Sequence, residues 1–139
     1  MQDTIDREPP QIQTVYSGPV VAASLSLLLA FMTLMISHHI SRLTTSLDHA
    51  VHAFGYWIPG STGTGPDGSI GSYAGKETLA IGVWLVCWGL FHYLWRKQEF
   101  ALDTWLRFFL IGLTVITLGF FHPLSDPIVL FIADLFGLH

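Results

Sequence analysis

Three apolar stretches separated by polar connections set the plan of this chain. The first, GPVVAASLSLLLAFMTLMIS, runs from residue 18 to 37 without a charge. A helix rises about 1.5 Å per residue, so such a run crosses a hydrocarbon core of about 30 Å. The pattern predicts transmembrane spans over about residues 18–38, 77–95 and 105–121. Lys76 and Glu77 bound the second span on one side, and Arg96 and Lys97 bound it on the other. Arg107 stands near the start of the third, where its head group can reach the interface.

The connection after the first span changes period. Over residues 43–58, Leu43, Leu47, Ala50, Val51, Phe54 and Ile58 fall on one helical face at spacings of three and four. Thr45, Asp48, His49, His52 and Tyr56 fall on the other. This predicts an external amphipathic helix lying in the interface, apolar face down, with His49 and His52 turned to water. Asp48 and His52 are then one helical turn apart, placed for an ordinary surface pair. An unbroken continuation of the first span is the alternative, and it would line up His38, Arg42, Thr45, His49 and His52 as one stripe. No strong helix breaker stands between residues 37 and 45; the regular apolar face favours the bent form.

A glycine-rich loop follows over residues 59–75, flexible from 60 to 69 and structured after that, with Tyr73 as an interfacial anchor. It could cap the outer histidines. At the other end of the chain, Asp126 as N-cap, Pro127 at the first helical position and Gly137 as stop predict a helix over about 127–136. Such a helix is only about 15 Å long, so it reads as an interfacial or re-entrant half-helix. The expected fold class is an all-α integral membrane protein: three transmembrane helices, an external amphipathic interfacial helix and a short C-terminal half-helix. A polar tail, residues 1–17, precedes one membrane domain, 18–139.

Charge adds an orientation. Arg96, Lys97 and Arg107 share the short connection between the second and third spans, and Arg7 precedes the first. The opposite side has only Arg42 and Lys76. This modest excess favours a cytoplasmic N-terminus, with the histidine-bearing loop and the C-terminus external. The acidic start lacks the cationic region of a secretory signal, so the first apolar run is expected to remain as an anchor.

Composition narrows the function classes. The chain has 139 residues, enough for one domain, and only 12% are charged, about half the ordinary soluble share. The net charge of −4, with no Lys/Arg block, gives no nucleic-acid surface. A single cysteine, Cys87, excludes an internal disulfide and any cysteine-built zinc or iron–sulfur centre. Gly75-Lys76 imitates the end of a phosphate loop, but Ile70 and Glu77 occupy positions where that motif needs Gly and Ser/Thr. Nucleotide binding is therefore not expected. No span has a charge near its middle, which disfavours ion-coupled transport, and no catalytic motif is visible.

Two residue sets remain as candidate sites. His38, His39, His49 and His52 crowd the end of the first span and the segment after it. Topology places His122 at the same level, with Asp48, Glu77 and Asp126 nearby. Imidazoles converging from separate segments suit a transition metal, and a His from each of two helices suits a b-type haem. The second set is on the second span, where Trp84, Trp88, Phe91 and Trp95 line one side. That row can face lipid, dock on a membrane partner, or contact a flat cofactor such as a pigment, quinone or haem, with His92 as an axial ligand. Gly75, Gly82 and Gly89 line the opposite side and are expected to pack on the first or third span, where Ala22, Ala23 and Ser26 offer a similarly small surface. The leading expectation is a non-enzymatic subunit of a larger membrane complex, in contact with lipid and other membrane subunits. The alternative is a small redox, metal- or haem-binding membrane protein.

Overall fold

The computed structural model describes residues 15–61 and 73–137, and every regular element among them is an α-helix. In chain order these are α1 (Gly18–Leu43), α2 (Thr45–Ala53), α3 (Tyr73–Trp95), α4 (Leu102–Gly119) and α5 (His122–Leu135). Three of them, α1, α3 and α4, are long and apolar enough to cross a membrane.

α1 is the centre of the assembly. Both α3 and α4 pack on it, and they make no contact with each other. The reason lies in a row of small residues four apart: Gly18, Ala22, Ser26 and Ala30 are all buried. Small side chains let helix backbones approach closely in a bilayer, where apolar burial gives helices little reason to associate. At Gly18 the approach is so close that a Cβ would overlap the Trp95 carbonyl oxygen. The Gly18 N–H donates to Gln98 O at 3.0 Å, and Ser17 Oγ accepts from the Phe100 N–H at 2.6 Å. The start of α1 is thereby tied to the short α3–α4 connection. Along the other flank, Trp105 Nε1 donates to Ser24 Oγ at 2.7 Å. Gly112 then meets Leu28, and Gly119 meets the Met35 side chain. These contacts advance together along both helices, so α4 runs parallel to α1 while α3 runs antiparallel.

The first span continues through the expected end at 38 to Leu43, and it stops there because Thr44 is extended, with φ −145° and ψ 155°. The Thr44 hydroxyl accepts from the Leu47 N–H at 3.1 Å and caps the next helix. One threonine thus supplies the break, and the straight stripe through His49 and His52 does not form. The helix after it is shorter than the expected 43–58. From Phe54 the chain passes through successive turns to Ser61, with Gly60 at φ 86°. Of the apolar face read from the sequence, Val51 is buried, while Ala50 and Phe54 are exposed.

Two further expectations are corrected. The glycines of α3 do not share one packing role: a Cβ at Gly75 would overlap the Val51 carbonyl oxygen of α2, whereas Gly82 and Gly89 face open space. The close-packed small row belongs to α1 instead. The tail helix also starts earlier than 127. Phe121 O accepts from the N–H groups of Leu124 and Ser125, at 2.9 and 3.1 Å, and Pro123 occupies the first turn, where a missing N–H costs nothing. Pro127 consequently lies inside the helix, and Asp126 is not its cap. With 14 residues, α5 is about 21 Å long and still too short to span. Gly137, at φ 65°, follows its end as expected. Residues 62–72 of the glycine-rich loop lie outside the described residues; in the described part, Ser61 O meets one histidine, His52, at 2.8 Å.

Candidate functional site: a histidine cluster and a tryptophan groove

Twenty-six residues at about 1.5 Å each make α1 about 39 Å long, so its last two turns project beyond a hydrocarbon core of about 30 Å. Those turns carry His38, His39 and Arg42. The tight corner at Phe120–Phe121 delivers His122, the first residue of α5, to the same place. The Nε2 atoms of His38 and His122 stand 3.1 Å apart, one ring donating and the other accepting. His39 Nε2 donates to Gly119 O at 2.8 Å. The three ring centroids form a triangle with sides of 5.2, 5.6 and 5.9 Å. His39 is only 7% exposed, and its Nδ1 has no hydrogen-bond partner among the described residues.

Beside this triangle the Arg42 guanidinium grips the Asp126 carboxylate through two bonds, 2.8 and 3.2 Å long. Those bonds hold the Asp126 carboxyl below the usual carboxylate range, and the nearby His122 and His39 rings act in the same direction. Three contacts therefore fasten the corner between α4 and α5 to the end of α1. Sequence reading placed Asp126 near the histidines and missed its partner. Arg42 in the last turn of a long helix was the available signal. Lys76, read from the sequence as a boundary marker, is in fact buried at 4% exposure, with its ammonium 4.9 Å from the centre of the Tyr73 ring.

His49 and His52 are not part of the triangle. His49 is exposed on α2. His52 is half-buried, donates to Ser61 O at 2.8 Å and lies edge-on to Tyr56, so it closes the turn after α2 and does not pair with Asp48. Among the described residues, no group of three or more His, Cys, Asp or Glu side chains is placed so that it could hold a metal ion.

The second candidate lies at the other end of the bundle. Trp84 and Trp88 stack at 6.3 Å between centroids, with His92 at 6.0 Å from Trp88. These three line a groove of about 620 Å³ together with Pro19, Val20, Ala23, Ser24 and Leu27 of α1. The tryptophan row thus borders the α1–α3 seam, and both indoles are about two-fifths exposed. The groove is apolar along its length and reaches His92 at the end where α1 starts.

No family model, curated protein or solved structure matches this chain.

Proposed function

We propose that this chain is a small non-enzymatic subunit of a larger membrane complex, one that contributes helix surface and not a reaction centre. The observation that carries this reading is the openness of α3. It packs on α1 along one edge, makes no contact with α4, and leaves Gly82, Gly89 and the Trp84–Trp88 row free. Open glycines on one side of α3 allow a further helix to approach closely, and the tryptophan row on the opposite side supplies large rigid contact area with an N–H to satisfy. The side bearing Arg96, Lys97 and Arg107 is taken as cytoplasmic on the charge bias. Extraction in mild detergent followed by native electrophoresis tests the reading. The wild-type chain should migrate in an assembly larger than the monomer. Trp84→Ala/Trp88→Ala should release a folded, helical monomer, and an unchanged assembly would reject the tryptophan side of α3 as the docking face.

A second reading has its own support. His38, His39 and His122 come together from segments some 80 residues apart in sequence, although as they stand no group of three among the described residues could hold a metal ion. Absorption and metal analysis of the purified protein distinguish a loaded centre from a structural polar cluster. The flat-cofactor reading of Trp84, Trp88 and His92 is tested by the same spectrum.

A further inference from the structure

The groove beside Trp84 and Trp88 is apolar along its length and opens, at one end, on hydrogen-bond donors and a cation. We propose that it binds one anionic phospholipid from the leaflet beside the α3–α4 connection, with an acyl chain along the tryptophan wall and the phosphate at His92 and Arg96. This goes beyond the subunit reading and does not depend on it: the lipid fills the seam with α1, and the glycine side of α3 stays free for a neighbour.

The depth of the groove matches one leaflet. Its α3 wall runs from Trp84 to His92, and its α1 wall from Pro19 to Leu27. Each wall covers eight residue steps, so at about 1.5 Å per residue each is about 12 Å long. One leaflet supplies half of a hydrocarbon core of about 30 Å. Val20, Ala23 and Leu27 face the two stacked indoles across this length, a surface suited to an extended hydrocarbon chain.

Polar groups then appear in order towards the outlet. Trp57 and Trp105 give their indole N–H groups to Thr78 and Ser24, whereas those of Trp84 and Trp88 have no acceptor among the described residues. Inside the hydrocarbon region no water supplies one. His92 stands one turn beyond Trp88, with ring centroids 6.0 Å apart. Arg96 follows one turn later, exposed and held over the Tyr93 ring. The series Trp88, His92, Arg96 therefore advances about 6 Å per step. A phospholipid offers its acceptors in the same order, ester carbonyls inside and phosphate outside. A neighbouring helix has its backbone polar groups already bonded to one another, so it would need a separate side-chain acceptor at each level.

Charge sets the direction and the class of lipid. Past Trp84 the seam continues to Glu77, whose carboxylate repels a phosphate. At the His92 end the nearby chain carries Arg96, Lys97 and Arg107 against Glu99 and Asp103, and Asp103 borders the α1–α4 seam instead. The excess is positive. A head group of net negative charge is therefore preferred over a zwitterionic one, whose ammonium the same cations repel.

Full-length protein in mild detergent, titrated with phosphatidylglycerol or phosphatidylcholine carrying brominated acyl chains, tests this through tryptophan fluorescence. Phosphatidylglycerol should quench saturably at about one lipid per chain, and phosphatidylcholine should need about fivefold more or beyond. Trp84→Phe/Trp88→Phe keeps two flat rings and should remove the saturable component, because the other tryptophans do not line the groove. Arg96→Gln should cut the preference for phosphatidylglycerol about fivefold, with helical circular dichroism unchanged. Quenching that rises in proportion to lipid and alike for the two head groups is ordinary solvation of the bundle and would overturn the site. Saturable quenching that survives Trp84→Phe/Trp88→Phe, or an unchanged preference in Arg96→Gln, would overturn it as well. Native electrophoresis of the same samples reads the subunit proposal separately: an assembly without saturable quenching rejects the lipid site alone, and saturable quenching without an assembly rejects the subunit reading alone.

Discussion

Three glycines on one helix, seven residues apart, should respond in opposite directions to the same substitution. A Cβ at Gly75 would overlap the carbonyl oxygen of Val51, and the next nearest atoms are also α2 backbone. Backbone atoms cannot swing aside as a flexible side chain would, so α2 must lift away from α3. Overpacking of this kind costs about 1–3 kcal/mol. Gly75 lies in the first turn of α3, where little helix propensity is recovered. Gly82 and Gly89 sit deeper in the helix with nothing within 4 Å of an added Cβ. There the exchange costs no contact and recovers up to about 1 kcal/mol of helix preference. Gly75→Ala and Gly82→Ala should therefore differ by roughly 1–4 kcal/mol, with Gly89→Ala resembling Gly82→Ala. Reversible unfolding of the monomer in mixed micelles, followed by helical circular dichroism, reads this directly. Equal shifts for Gly75→Ala and Gly82→Ala would refute the packing of α2 on the start of α3.

Other consequences can be checked on the same preparations. Trp105→Phe and Ser24→Ala each remove the bond between α4 and α1, so each should cost about 0.5–1.5 kcal/mol and the double substitution little more than either alone. The Asp126 carboxyl is held low by Arg42 in the folded chain; its stabilising effect is complete above the ordinary carboxylate range and is lost as pH falls through the lowered value. Spin labels on the end of α1 and on α5 should accordingly separate at acid pH, and Asp126→Asn should show that wider separation at every pH. Gly18→Ala should loosen the α3–α4 connection, because the new methyl meets the Trp95 carbonyl; faster amide exchange at Gln98 and Phe100 is the expected sign.

The spans were legible because lipid solvation demands long uncharged runs, which a sequence displays openly. Their pairing was less so. Glycines repeating every seven residues on α3 drew attention, yet the close-packed row is the four-residue repeat of Gly18, Ala22, Ser26 and Ala30 on α1. A small residue marks where a helix can come close, not which neighbour arrives. Thr44 illustrates a second limit: its β-branched side chain does not forbid a helix, and it breaks this one by capping the next. At the tail, Asp126-Pro127 reads as the helix start, but the helix begins at His122-Pro123, and the bond from Arg42 draws Asp126 to another role. The meeting of His38, His39 and His122 followed from topology alone, since the ends of spans share a level. The orphan Nδ1 of His39 depends on the carbonyl of Gly119, and no sequence pattern announces a carbonyl's direction.

What lies against the open glycine side of α3 in the native membrane decides the subunit reading most directly. A photoreactive residue placed at Gly89, irradiated before solubilisation, measures that. A covalent protein adduct of one fixed mass, absent when the same residue is placed at exposed Val115 on α4, is the predicted result. Lipid adducts alone at both positions would contradict the subunit reading.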